Sequence, residues 1–449
     1  MTAVSTLFAD AATAVGTPVH TRNEAPAVIL RGGTAVLADR LAPAHDVVVS
    51  GGRIQAIEPT GLLAALPALG TTVIDARGCY VAPGLIDIHS DYIETIASPR
   101  PSVVMDLRRA LYETDRALVS HGITTMYHSL SVYQTQIFEH KPIRLYENVM
   151  RLVEHISAFR ASETLDHLIR HRLHMRVELD AVGYFNAVEE LLRRGSVDLL
   201  SFMDHTPGQG QYRDLEVFAR TIQSYRGSMS EAAVRELALS QQRAAKFSYG
   251  DLARLAALAH EHGVPIASHD DDSIGELASI HRLGARISEF PVSLEVGRRA
   301  RELGMHTLAG APNVVLGYSH SGNLSARESV CADVANILCS DYYPAALLQA
   351  VFTLQRCCGI ELERAFALVT LNPARAVGID HERGELAVGK RADLLLIRKL
   401  PHVESAEAEG ESFVPVVEAV FVEGRPVFQT RYPQAGDTHW VQDIRELRR

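Results

Sequence analysis

Eight short apolar runs, with helix-forming stretches between many of them, constrain this 449-residue chain more than any other feature. They are Leu85–His89, Thr124–Ser129, Met175–Leu179, Leu199–Asp204, Pro265–Ser268, Ile287–Phe290, Thr307–Ala309 and Ile337–Ser340. The intervening segments, such as Val104–Ser120, Arg144–Thr164, Ser230–Gln242 and Tyr249–His262, are rich in Ala, Leu, Glu and Arg. Strands alternating with helices imply a parallel sheet, and eight such units predict an α/β fold closed into a (β/α)8 TIM-like barrel. An open doubly wound sheet is disfavoured, because no strand leads into G-x-G-x-x-G or G-x-x-x-x-G-K-S/T.

Short β-like segments occur at both ends of the chain. Ala27–Leu30, Ala35–Leu37, Asp46–Ser50, Arg53–Glu58 and Thr72–Asp75 precede the first run, punctuated by Gly32-Gly33 and Gly51-Gly52, and the chain leaves them at Pro83-Gly84. Ala392–Ile397, Val416–Val422 and Arg425–Phe428 follow the last run, with Glu423-Gly424 as a hairpin turn. The two ends are expected to form one small β-sandwich domain (26–80 and 376–432) beside a barrel at 81–375. An N-terminal extension (1–25), a C-terminal tail (433–449) and a solvated acidic loop at Val403–Ser412 complete the expected organisation.

Composition narrows the function. Apolar residues at 47% and charged residues at 22% are the balance of a folded, soluble chain. A net charge of −10 argues against nucleic acid or an anionic membrane as partner, since either needs a basic surface. No run approaches the ~20 apolar residues of a membrane span. The first residues lack the cationic start and apolar run of a signal peptide. Cys79, Cys331, Cys339, Cys357 and Cys358 form no C-x-x-C pair and suit neither a zinc ribbon nor a disulfide framework, so a reducing, cytoplasmic setting is expected. Whether the chain is a homo-oligomer stays open.

In a (β/α)8 barrel the catalytic groups sit at the C-terminal ends of the strands. The first run ends in His89-Ser90-Asp91, the third in Glu178, the fourth in Asp204-His205, the fifth in His269-Asp270-Asp271-Asp272 and the eighth in Ser340-Asp341. A lone histidine there is commonly structural, and Asp204, Asp270 and Asp271 can equally cap the helices that follow. His89 and Asp91 are a stronger pair, because residues i and i+2 of an extended strand point the same way and can grip one ion together. Such N/O donors suit zinc, with manganese or iron as alternatives, and a bridging carboxylate can hold two ions. A divalent ion brings water close to deprotonation at neutral pH, and Asp341 is the candidate to orient that water and carry its proton. The expectation is a metal-dependent hydrolase of a small molecule.

Longer motifs add a resemblance. Val81-Ala82-Pro83-Gly84-Leu85-Ile86-Asp87-Ile88-His89 resembles the lead-in to the first barrel strand of the amidohydrolase superfamily. Asn372-Pro373-Ala374-Arg375-Ala376 and the stretch from Gly384 to Leu394 resemble that superfamily's return to its β-sandwich. The superfamily's usual first-strand signature is His-x-His, so Asp91 stands here for an imidazole. Many members bridge their metals with a carboxylated lysine, but none of Lys141, Lys246, Lys390 and Lys399 ends a predicted strand. The resemblance then implies Glu178 as the bridging ligand, in a set of His89, Asp91, Glu178, His205, His269 and Asp341 that holds one or two ions.

Met203-Asp204-His205-Thr206-Pro207-Gly208-Gln209-Gly210-Gln211, Ser268-His269-Asp270-Asp271, Gly310-Ala311-Pro312-Asn313, Ser319-His320-Ser321-Gly322-Asn323 and Ser340-Asp341-Tyr342-Tyr343-Pro344 resemble a branch of the superfamily that acts in phosphonate breakdown. This implies water attack at the α-phosphorus of a ribose methylphosphonate triphosphate, releasing pyrophosphate. An acidic protein must supply local cations for such a polyanion. Arg100 and His320 are the candidates, with Gln209 and Asn323 as further substrate contacts; Gln209 can equally just close a turn. Leu316 and Tyr318 stand where that branch leads one to expect an arginine and a small residue. The alternatives are hydrolysis of a C–N bond, as by a deacylase, cyclic amidase or deaminase, and a non-catalytic subunit with a vestigial site.

Overall fold

The structure is a computed structural model and describes residues 27–62, 71–135, 141–161, 167–226, 229–318, 324–401 and 413–432. The expected N-terminal extension, the acidic loop at Val403–Ser412 and the C-terminal tail lie outside the described residues. Sixteen strands are described: β1 Val28–Val36, β2 Leu41–Ser50, β3 Arg53–Pro59, β4 Thr72–Asp75, β5 Cys79–Pro83, β6 Leu85–Ser90, β7 Ile123–Val132, β8 Arg170–Glu178, β9 Leu199–Met203, β10 Ile266–His269, β11 Ile287–Glu289, β12 His306–Gly310, β13 Ile337–Cys339, β14 Leu394–Pro401, β15 Phe413–Val422 and β16 Arg425–Gln429.

β6 to β13 pair in chain order, each parallel to the next, and form an eight-stranded barrel. The bridge Ser90↔Asp341 draws the first and last of these strands together at their C-terminal ends. All eight predicted strands are therefore present. β7 and β8 run several residues longer than their apolar stretches, because their extra residues include buried polar side chains such as Ser131, His171 and His174. Ile86 and Ile88 of β6 pack with Leu199, Ala267, Ile287, Leu308 and Ile337 of five further barrel strands as one buried cluster. Gly84 sets the approach to β6: a Cβ there would meet the Thr124 side chain at 2.2–2.8 Å, so only glycine lets the chain pass.

The chain ends build a second, mixed sheet in the order β16-β15-β14-β5-β1-β2-β3, with β4 paired to β1. β5, which the sequence reading passed over as part of the exit toward the barrel, sits between β1 and β14 and joins the two ends. The pleat of β14 binds the sheet to the barrel. Leu394 and Leu396 point into a core with Leu30, Val47, Ile54 and Val81, while Leu395 and Ile397 pack with Leu118, Val119 and Val351 of the barrel helices.

One expectation is corrected here. Cys331 and Cys358 are joined in a disulfide, with Cα atoms 5.8 Å apart, although the sequence reading paired none of the cysteines. They end the helices Ala326–Cys331 and Ala346–Cys358, which pack together, and a separation of 27 residues hides that proximity in the sequence. Among the described residues, no helix is long and apolar enough to cross a membrane.

Candidate metal centre

β6, β8, β9, β10, β11 and β13 each deliver a polar side chain to one end of the barrel, or the residue just past it does so. His89 comes from β6, and His174, Arg176 and Glu178 occupy alternate positions of β8, hence the same face. His205 follows β9, His269 closes β10 and Asp270 follows it, Glu289 closes β11, and Asp341 follows β13. Asp270, Phe290 and Asp341, each just past a barrel strand, have φ of 56°, 55° and 58°. A left-handed backbone at non-glycine residues is costly, most of all at bulky phenylalanine, and such cost concentrates at functional sites.

Two groups of potential ligands emerge. His89, His269 and Glu289 offer atoms within 4.8 Å of one another, and so do His205, His269 and Asp270, which makes His269 common to both. Glu289 lies fully buried; its Oε1 sits 2.9 Å from His89 Nδ1, and its Oε2 accepts from Ser201 at 2.8 Å. That leaves the other nitrogen of His89 for a ligand role, the usual way a carboxylate orients a metal-binding imidazole. Glu178 accepts from His205 twice, from the backbone N–H at 2.7 Å and from Nδ1 at 2.7 Å. Asp270 Oδ2 stands 3.4 Å from His205 Nε2 and 2.9 Å from His269 Nδ1. Arg176 donates from Nη2 to His269 Nε2 at 3.1 Å.

These residues fit a cation. His174 Nε2, His269 Nδ1 and Asp270 Oδ2 are buried side-chain atoms without an aligned hydrogen bond among the described residues, the last two facing each other as an ion pair. Each such orphan costs about 1–3 kcal/mol, a cost that coordination would remove. His205 makes the same point. Burial opposes its charged form, yet flanking Glu178 and Asp270 outweigh burial and raise it to about 10. Its proton thus holds two carboxylates together, and a divalent ion displaces such protons when it binds.

Asp341 is held by its backbone. Its N–H donates to His89 O at 3.1 Å, and its carbonyl accepts from Asp91 N at 2.9 Å and from Ser90 Oγ at 2.8 Å. Burial first, then the charge of nearby Asp91, raises its carboxyl to about 7, close to the value a proton carrier at neutral pH needs.

The other sequence candidates fall as follows. Asp91 does not continue the strand with His89 as expected. It has turned at φ −98° to precede the helix Tyr92–Ala97, and its Oδ2 pairs with Arg144 Nη2 at 3.1 Å. Arg100 is exposed, and its guanidinium makes no ion pair or hydrogen bond among the described residues. Gln209 is exposed and closes a turn: its N–H donates to Thr206 O at 3.0 Å, and its carbonyl accepts from Tyr212 N at 3.0 Å. His320 and Asn323 lie outside the described residues. Lys246 pairs with Asp204, which follows β9, at 3.1 Å. Asp271 accepts from Ser268 Oγ at 2.7 Å and from Ser288 Oγ, which ties β10 to β11 rather than capping a helix. Sequence reasoning missed Glu289, His174 and Arg176. A carboxylate inside a fully buried strand, and the alternating His174-x-Arg176-x-Glu178, were the signals available.

A family profile described as the amidohydrolase family matches residues 80–427. Over 334 residues the chain is 35% identical to alpha-D-ribose 1-methylphosphonate 5-triphosphate diphosphatase of Escherichia coli (strain K12), covering 74% of this chain and 86% of that relative. It is 23% identical over 374 residues to imidazolonepropionase of Symbiobacterium thermophilum, covering 80% of this chain and 85% of that one. An adenosine deaminase from Xanthomonas campestris, solved with bound zinc, matches 94% of this chain and 97% of its own at a TM-score of 0.56 and 16% identity, a likeness of fold.

Proposed function

The chain belongs to the amidohydrolase family, and from that premise we propose that it is a divalent-metal-dependent diphosphatase of phosphonate breakdown. In this reading it hydrolyses the α–β phosphoanhydride of α-D-ribose 1-methylphosphonate 5-triphosphate to the 5-phosphate and pyrophosphate. The observation that carries the reading is the 35% identity to the E. coli diphosphatase across 86% of that relative. Residues 81–375 are the hydrolase barrel, the flanking sheet is its companion domain, and the cytoplasm is the expected location.

His89, His205, His269, Glu178 and Asp270 supply the donors for one or two ions, with Glu289 orienting His89 and with zinc, manganese or iron as the candidates. A bound divalent ion supplies positive charge opposite a phosphoryl oxygen and lowers the pKa of an attacking water. Asp341 takes the proton of that water on its carboxylate and returns it to the departing pyrophosphate. Asp91, paired with Arg144, raises the proton affinity of Asp341 through its charge. Arg176 is the barrel cation that the sequence left unassigned. Its fixed guanidinium beside His269 answers part of the charge of a triphosphate.

Phosphate-product analysis of metal-loaded protein with the ribose methylphosphonate triphosphate tests this. Wild type is expected to release pyrophosphate, and Asp341→Asn to do so about 10²–10⁴-fold more slowly with its metal content intact. No pyrophosphate from metal-loaded wild type overturns the substrate and moves the chain to hydrolysis of a C–N bond. One observation favours that second reading: exposed Leu316 and Tyr318 offer no cation beside the mouth.

A further inference from the structure

The end of the barrel opposite the candidate metal centre carries a cavity of about 400 Å³ whose wall has three arginines, Arg301, Arg364 and Arg375. Among the described residues its only carboxylate is Asp333, which stands 3.6 Å from Arg364. The Arg375 guanidinium makes no ion pair or hydrogen bond with any described residue. Arg301 donates from Nη1 to Met305 O at 3.0 Å and has no acidic partner among the described residues. Three guanidiniums against one carboxylate make a cationic hollow on a chain whose net charge is −10.

The floor of the cavity is built to donate as well. Asn336 Oδ1 accepts from Thr307 N at 2.9 Å, which fixes the amide orientation and leaves Nδ2 as the donor to His306 Nδ1 at 3.0 Å. His306 Nδ1 therefore carries no proton in the neutral ring, and its Nε2–H is a donor without a partner among the described residues. Asn336 is itself held, because its carbonyl accepts from Asn372 Nδ2 at 2.8 Å. Burial, and then the approach of Arg301 and Arg375, keep His306 below the ordinary imidazole range, so it contributes a neutral N–H near pH 7. The wall thus presents guanidinium N–H groups and an imidazole N–H to whatever enters, a pattern that suits an acceptor-rich anion.

This hollow is distinct from the barrel mouth. β12 begins at His306 on its wall and ends at Gly310, where a Cβ would lie 3.8 Å from Asp341 Oδ2. The four steps between its five residues, at roughly 3.3 Å each, put about 13 Å of strand between the two. Ala38, in the turn between β1 and β2, also lines the cavity, so its occupant would lie between the barrel and that turn.

We propose that this cavity is a second ligand site that binds a small, multiply charged anion of the phosphate class. The test is isothermal titration of the full chain with pyrophosphate in buffer free of divalent metal and of other phosphates. The expected result is one saturable site in wild type. It persists in His269→Ala, which removes the imidazole shared by both ligand groups at the mouth. It weakens at least ten-fold in Arg301→Gln and in Arg375→Gln, two exposed positions whose replacement leaves the unfolding temperature unaltered. No binding by wild type, or binding that survives both arginine replacements, overturns the proposal.

Discussion

Two groups of buried histidines share the wall of this barrel. Outside it, His128 Nε2 meets His171 Nδ1 at 2.8 Å, His171 Nε2 meets Asp115 at 3.0 Å, and Asp115 accepts from Leu168 N at 2.7 Å and Ile169 N at 3.0 Å. Inside it, His174, His269 and Asp270 keep buried atoms unmatched. His171 and His174 are three residues apart on β8, which places them on opposite faces of one strand. Residue type and burial are therefore the same in both groups. What separates them is whether the hydrogen-bond accounting closes: a closed network is structure, and an open one at a barrel mouth awaits a ligand.

Replacing His269, common to both ligand groups, should have the largest effect. His269→Ala is expected to lower bound metal, and with it turnover, by more than about 100-fold, the upper end of what outer residues cost. Elemental analysis of the purified variant beside wild type checks this, and an unchanged metal-to-protein ratio would break the comparison at its centre. Glu289→Gln should weaken metal affinity about 10–100-fold by loosening His89 while the protein stays folded. A chelator competition titration reads that loss. Equal affinities would place Glu289 with the closed networks instead.

The outer network should respond the other way. His171→Ala is expected to cost about 1–3 kcal/mol of stability in denaturant titrations, by orphaning His128 and one face of Asp115, with metal content and kcat unaltered. A fall in metal content there would erase the distinction. The smallest effect is on pH. Burial, the first cause in each case, holds His128 and His171 below the ordinary imidazole range. A depressed folded-state value means stability is fully present above the unfolded pKa of about 6.5 and drains as pH falls below it. The unfolding free energy of His128→Gln should thus slope less between pH 6.5 and 5, by up to about 1.4 kcal/mol per unit. Parallel slopes would show that His128 gains no proton on unfolding.

The barrel was legible because its strands are short apolar runs at regular spacing, and most mouth residues announced themselves by following those runs. β5 was not, because Cys79-Tyr80-Val81-Ala82-Pro83 runs into β6 with only Gly84 between, and one apolar stretch gives no sign that it serves two sheets. Glu289 and Arg176 escaped for a related reason: they lie within strands, where polar residues read as interruptions. Asp91 departs from the expected geometry for the opposite reason, since i and i+2 share a direction only while the strand continues, and β6 stops at Ser90. The Cys331–Cys358 bond depends on how two helices pack, which no local pattern carries.

β5 pairs with β14 through Leu394↔Pro83 and the four residue pairs that follow. On the ribosome these partners are made on the order of 300 residues apart, roughly 15–60 s at ordinary synthesis speed. Through that interval one edge of β5 has no neighbour, and an unpaired edge is the template on which chains cross-associate. Birth of this protein is therefore a race between the arrival of its own last strands and capture by another nascent chain, and slower translation lengthens the exposure.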